Sequence, residues 1–341
     1  MQLSNKIPLL ILLTIFLCFQ NVQAGDWTKL NSGTLSWLHS VYFVDQNSGW
    51  IVGSQGTFLK TIDGGKNWRA ETKFTKDNIR DVYFADENHG WILCERDIYS
   101  SGTLSPSYIW ETFDGGTNWK TVRFEGEGKE RLVRIFFTKE GIGWAVGEAG
   151  TVFAMQNDKS IWKRTSVPAQ TLMLNGIFTD QTHGLLVGGN GTSLFTEDGG
   201  TSWKLSAFTS KPTAKLNSVF FINQKIGWSV GAQGKIYSTI NGGKLWREQI
   251  STVKEDLFDV VFLNTAEGWA IGDNGKTLHT TTAGNVWNEV PNNSKHKLER
   301  ILFVGKKGWA VGFGGTIMVY DGANKEKLTQ SAPPILQKRN N

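Results

Sequence analysis

A chain of 341 residues with 39 glycines, 7 prolines and a formal net charge of +5 is long enough for one large all-β domain or two ordinary ones. The charge is mild and forms no Lys/Arg run of the kind that marks nucleic-acid binding. Dense glycine without a long helix-period apolar run after residue 20 suits many short strands joined by tight turns.

Met1 to Ala24 carries Lys6, the apolar run Ile7 to Phe19, and Val22-Gln23-Ala24, whose small residues suit signal peptidase. It reads as a secretory signal cleaved before Gly25. The run is short for a membrane span, and Phe16-Leu17 ahead of Cys18 is bulky where lipidation wants small residues. Cleavage leaves Cys94 as the sole cysteine, so an exported chain has no internal disulfide and packing must stabilise it. Cys94 lies in the strand pattern Trp91 to Cys94 and reads as a small buried residue rather than a reactive thiol. The mature chain keeps 35 basic and 31 acidic residues, a net charge of +4.

Beyond the leader, one sentence is written repeatedly. Its clearest copy is Gly49 to Trp68. A Gly-Trp pair recurs with its aromatic at Trp50, Trp91, Trp144, Trp228, Trp269 and Trp309, and Leu185 follows Gly184 in the remaining copy. The seven units are separated by 41, 53, 41, 43, 41 and 40 residues, a period that means a propeller or a solenoid. A second tryptophan follows after 18 residues in most units, whereas Trp119 lies 28 beyond Trp91, so the second unit carries an insertion, Glu95 to Ile109.

Each unit parses as four strands, which is one propeller blade. An apolar strand ending in Phe comes first, as in Val41-Tyr42-Phe43. Trp50 to Gly53 forms the second, Thr57 to Thr61 the third, and the fourth starts at Trp68. The turn before the fourth strand, Thr61-Ile62-Asp63-Gly64-Gly65-Lys66-Asn67-Trp68, recurs with Asp114 and Trp119, with Asp198 and Trp203, and with Asn241 and Trp246. A short Asp or Asn side chain accepts bonds from turn amides, Gly permits positive φ, and Trp covers the turn. These residues read as structural rather than catalytic.

The turn resembles the Asp-box, or bacterial neuraminidase repeat. The full unit, Gly-Trp-x-Val-Gly-x-x-Gly-Thr followed by Thr-x-Asp-Gly-Gly-x-x-Trp, resembles the photosystem II assembly and stability factors of thylakoids and cyanobacteria over nearly all of residues 26 to 321. That resemblance implies a non-catalytic exported scaffold, in the periplasm or thylakoid lumen. It would hold a membrane-protein subunit, or its exported tail, through an arginine-bearing face.

Ring closure follows from spacing alone. Trp27 precedes Trp50 by 23 residues, as box tryptophans precede the next Gly-Trp, while none follows Trp309. The strand starting at Trp27 should therefore complete the seventh blade and leave no exposed edge. The expected organisation is a leader over 1–24, one seven-bladed propeller over 25–321 and a disordered tail over 322–341.

All but Trp37 and Trp110 of the 15 tryptophans are repeat positions. The histidines show no metal-ligand spacing, and no nucleophile elbow, Walker loop or dinucleotide fingerprint is present, so no metal, cofactor or catalytic residue is expected. On the face opposite the Asp-boxes, the residues leading into the first strands are His39, Arg80, Arg134, Asn175, Asn217, Asp259 and Arg300. His39, Arg80, Arg134 and Arg300 fall on one arc of the ring, with Asp259 and Asp273 on the other side. Arginine suits bidentate recognition of a carboxylate, so these four are the expected partner-binding residues of a monomeric scaffold. The alternative is a sialidase-like or other glycoside hydrolase, with Glu148, Asp259 and Asp273 as acid and nucleophile. The insertion, with Tyr99 and Tyr108, is a further candidate contact.

Overall fold

The computed structural model describes residues 27–97, 104–126, 129–156, 161–210 and 212–322. The leader, Tyr99 and all but the first residue of the proposed tail lie outside them. The described strands form seven sheets, five of four strands and two of five. After β1 (Trp27–Leu30), blade 1 is built from β2 (Leu38–Phe43), β3 (Gly49–Gly53), β4 (Phe58–Thr61) and β5 (Arg69–Ala70), paired antiparallel in that order. Blades 2 to 7 repeat this meander around inner strands Asn78–Phe84, Leu132–Phe137, Met173–Phe178, Leu216–Phe221, Leu257–Phe262 and Leu298–Val304.

The repeated residues explain the repeated packing. In blade 1 the ring of Phe43 lies over Gly49, where a Cβ would come within 2.6 Å of it. Trp50 of blade 1 stacks on Phe84 of blade 2 at 3.7 Å, and Trp228 on Phe262 at 3.4 Å. The box tryptophan meets the same Phe edge-on, as Trp68 does Phe43 at 5.7 Å. Six of the seven interfaces between blades are thus Trp-Phe-Trp sandwiches contributed by both neighbours, and between blades 4 and 5 Leu185 takes the place of the first tryptophan beside Phe221 and Trp246. Such aromatic burial dominates core energetics, and edge-to-face and offset-stacked pairs add to it.

Blade 7 is completed by β1, which pairs antiparallel with Thr316–Asp321 in the register Trp27 to Tyr320. Trp27 is 4% exposed and lies against Trp269, Phe303 and Tyr320 at 5.6, 6.1 and 5.5 Å, the place a box tryptophan occupies elsewhere. Two blades depart from four strands. Arg123–Glu125 and Ala207–Phe208, which lead out of the preceding blades, add parallel fifth strands to the outer edges at Ile161–Arg164 and Leu245–Gln249. Pairing there satisfies amides that an open edge would expose.

The Asp-boxes lie at one end of the ring. Asp63 Oδ1 accepts from Thr61 Oγ1 at 2.8 Å and from the amides of Lys66 and Asn67 at 3.0 Å, while Asn67 Nδ2 donates to Oδ2 at 2.8 Å. Asp114, Asp198 and Asn241 receive the corresponding threonine bonds at 2.9, 2.8 and 2.9 Å. Gly65, at φ +71°, is backed by Trp309 Nε1, which a Cβ would meet at 2.4 Å. Trp68 and Trp119 are half-buried and Trp203 and Trp246 buried. The Gly64 amide donates to Asn47 O, so turns between first and second strands share this face. The short 3-10 turns Ser54–Gly56 and their equivalents, with the starts of the inner strands, lie at the other end, here called the mouth.

The candidate site at the channel mouth

Every inner strand carries a one-residue bulge at the same place, between Leu38 and Ser40 in blade 1 and between Leu298 and Arg300 in blade 7. A bulge places two residues against one, and those neighbours face differently. The mouth therefore has two tiers. The bulged residues are His39, Arg80, Val133, Leu174, Asn217, Phe258 and Glu299. One residue deeper lie Ser40, Asp81, Arg134, Asn175, Ser218, Asp259 and Arg300. The four expected partner-binding residues are divided between these tiers, His39 and Arg80 in the upper, Arg134 and Arg300 in the lower. Counting back three from each terminal Phe, from Phe43 to Phe303, finds the lower tier in the sequence.

The lower tier is a buried charge cluster that crosses the channel. Arg134 lies 3.8 Å from Asp81, and Arg300 reaches Asp81 at 3.5 Å and Asp259 at 3.6 Å, with side-chain exposures of 11% for Arg134 and 14% for Arg300. Asp81 also accepts from Ser40 Oγ at 2.8 Å and the Ile135 amide at 3.0 Å. Asp259 accepts from Ser218 Oγ at 2.6 Å and the Ile301 amide at 3.0 Å. Each carboxylate thus ties its own blade to both neighbours. Burial pushes both carboxyls above the usual carboxylate range, against the opposing pull of Arg134 and of these donors. The expected polarised mouth is corrected here: Asp259 is not set apart from the arginines but is a partner of Arg300.

The upper tier is more open. Arg80 contacts Glu95 at 3.3 Å and Glu299 at 3.9 Å, with its side chain 27% exposed. Its Nη1 donates to His39 Nε2 at 3.3 Å, and His39 Nδ1 donates to Glu299 at 3.4 Å, an arrangement that fits neutral imidazole. Burial lowers the His39 pKa, which favours the neutral ring, despite the raising effect of Glu299. At Glu299 burial acts upward, but the His39 hydrogen bond and the charges of Lys297 and Arg80 hold the carboxyl below its ordinary value. Arg131, not among the four expected residues, joins the rim, bonding Glu95 at 2.8 Å with 38% of its side chain exposed.

Of the carboxylates considered for hydrolysis, Asp259 is buried in the cluster, Glu148 lies 3.7 Å from Arg131, and Asp273 is exposed on a 3-10 turn. Among the described residues no group of three or more His, Cys, Asp or Glu could hold a metal ion. Cys94 is fully buried, and burial pushes its thiol up to about 12. The insertion extends the blade 2 hairpin at the mouth. Arg96 lies over Tyr108 at 4.2 Å, and Glu95, where the insertion starts, is the shared acceptor of Arg80 and Arg131.

Comparison with known proteins agrees with this architecture. The chain is 24% identical over 205 residues to the Photosystem II assembly lipoprotein Ycf48 of Picosynechococcus sp., covering 58% of this chain and 57% of that protein. It spans about half the length of the curated relatives it matches. A solved structure described as YCF48 bound to D1 peptide has a TM-score of 0.71 at 21% identity, over 87% of this chain and 96% of that one. The virginiamycin B lyase of Staphylococcus aureus has the same TM-score, 0.71, at 13% identity over 86% of this chain and 98% of that one, so the fold also carries enzymes. The sequence model of the family described as Photosynthesis system II assembly factor YCF48 matches residues 19–78, 154–223 and 209–296, and the chain belongs to that family.

Proposed function

We propose that this chain is a non-catalytic, exported scaffold that holds an exported segment of a membrane-protein subunit on the mouth face during assembly. Family membership supports the role, since relatives are named photosystem II assembly proteins and a solved relative is described as bound to D1 peptide. Several relatives are named lipoproteins, which supports export and residence at a membrane surface. The observation that carries the choice of face is the rim of partly exposed guanidiniums, Arg80 and Arg131, converging on Glu95. Each keeps donors for a carboxylate or backbone carbonyl of a partner, and bidentate guanidinium contacts are the strong kind. In this reading His39 orients Arg80, while Arg134 and Arg300 brace the floor beneath it.

The test is capture from the membrane fraction by immobilised protein, with crosslinking to identify the retained subunit. Arg80→Gln with Arg131→Gln should reduce capture at least tenfold, a loss of about 1.4 kcal/mol or more, and adding Glu95→Gln, which removes the carboxylate they leave unpaired, should restore the melting temperature without restoring capture. Undiminished capture by the double variant would overturn the assignment of the rim.

A further inference from the structure

The blades provide their own control for what the scaffold requires. In six of them the amide that opens the 3-10 turn donates to the carbonyl just ahead of the inner strand, Ser54 to Trp37 at 2.8 Å and Phe313 to Lys297 at 2.9 Å among them. This bond fixes which positions correspond. Phe313 then stands where the other turns have Ser54, Glu148, Gly189, Ala232 and Asp273. Trp37 stands where Arg131, Lys215, Asp256 and Lys297 are found, with Leu172 the other apolar residue there. Leu35 occupies a loop position that is lysine, glutamine or threonine in every other blade, as at Lys76, Gln170 and Lys295.

All three departures meet at one joint, between blades 7 and 1. The Gly315 amide donates to Ser36 O at 2.8 Å and so binds the turn of Phe313 to the loop of Leu35 and Trp37. Trp37 and Phe313 meet edge-on at 5.7 Å. Leu35 is nevertheless 88% exposed and Phe313 52% exposed. Blades with polar residues at these places close equally well, so packing of the ring does not require the apolar ones. Two exposed apolar side chains beside a half-buried tryptophan, rimmed by charge, have the composition of a contact surface.

Its charged border is cationic on the side toward the channel. Lys297 Nζ lies 4.8 Å from the Trp37 ring and 3.9 Å from that of Phe258, exposed Lys295 is its near neighbour in the chain, and the Trp37 ring lies 5.1 Å from that of His39, which bonds Arg80. The acids here are Glu299, already engaged by His39, Arg80 and Lys297, and exposed Asp273 on the blade 6 turn, whose charge also reaches Lys297.

We propose that Leu35, Trp37 and Phe313 form an apolar docking platform for an extended acidic peptide. An aromatic or long aliphatic side chain of that peptide lies on the platform, and an adjacent carboxylate meets Lys297 and the Arg80 rim. This deepens the mouth-face reading and rests on it, naming the partner segment as apolar and acidic together.

Fluorescence anisotropy of the full chain tests it with four labelled synthetic peptides of equal length in a Gly-Ser background. One carries a Phe-Leu pair followed by a terminal Asp-Glu pair, and the others carry the apolar pair alone, the acidic pair alone, or neither. The proposal expects the first to bind tightest. Leu35→Ser with Phe313→Ser should weaken it about tenfold, to the level of the acidic peptide, without moving the melting temperature. If the acidic peptide binds as well as the combined one, and only Arg80→Ala weakens it, the platform is overturned while the mouth-face reading stands. If no peptide binds above the Gly-Ser control, both are overturned. Concentration-dependent dimerisation of the parent, abolished in the Leu35→Ser, Phe313→Ser variant, would assign the platform to a second copy of this chain and overturn the peptide proposal.

Discussion

At the scale of single residues, the Asp-box shows how a surface carboxylate can matter without catalysing anything. The Asn67 amide and side chain, ahead of smaller contributions from Thr61 and Lys66, lower Asp63 to about 2, and the Ser202 hydroxyl and amide lower Asp198 to about 2. An unfolded Asp titrates near 3.9, so the unfolded chain binds more protons between these values. The stabilisation from these turns is therefore present above about pH 4 and lost as pH falls through 2. Asn241, which accepts from Thr239 Oγ1 at 2.9 Å and the Leu245 amide at 3.0 Å, shows that a neutral amide can hold the same turn. Asp63→Asn with Asp198→Asn should thus melt below the parent at pH 7, and the gap should close between about pH 4 and pH 2. Circular dichroism melts across that range check this, and a gap independent of pH would contradict it. These roles could be read from the sequence because the hydrogen-bond donors to Asp63 lie within four residues of it.

At the scale of the element, the inner strand decides what each arginine can do. Arg134 and Arg300 read as a binding arc when the residues ahead of each strand are taken as a single ring. The bulge separates them from His39 and Arg80, and in the lower tier they face Asp81 and Asp259. Removing one partner of a buried cluster leaves charge uncompensated in a poorly solvated place. Arg300→Met is accordingly expected to destabilise the fold by about 3 to 5 kcal/mol in denaturant titration. Adding Asp259→Asn should recover part of that loss, since the two residues share one interaction. Additive losses in the double variant would show that the pair is not coupled. Charge reversal at these positions is a test of folding, and binding is better probed at Arg80 and Arg131.

At the scale of the whole molecule, stability depends on closing the ring, because each blade buries its Phe and tryptophans only against a neighbour. Trp27→Ala opens the interface of blade 7 with blade 6 at Trp269, Phe303 and Tyr320 and should cost about 3 to 5 kcal/mol, the range for truncating a buried aromatic. An unchanged denaturation midpoint would refute closure by β1.

The number of blades, the four-strand meander, the Asp-box turns and the strand that closes the ring are all legible along the chain. Those properties repeat at a fixed period and rest on contacts local to one unit or shared identically by neighbouring units. The one-residue offset of Arg80 from Arg134 and Arg300, counted to their strands, is legible too, but the pairing at the mouth is a property of the closed ring. There, residues from blades 2, 3, 6 and 7 meet across the channel, Arg134 and Arg300 against Asp81 and Asp259. Leu35, Trp37 and Phe313 come together only because the two ends of the chain share blade 7. No spacing along the chain records which side chains meet across a ring, since that depends on its closure and on which way each bulged residue turns.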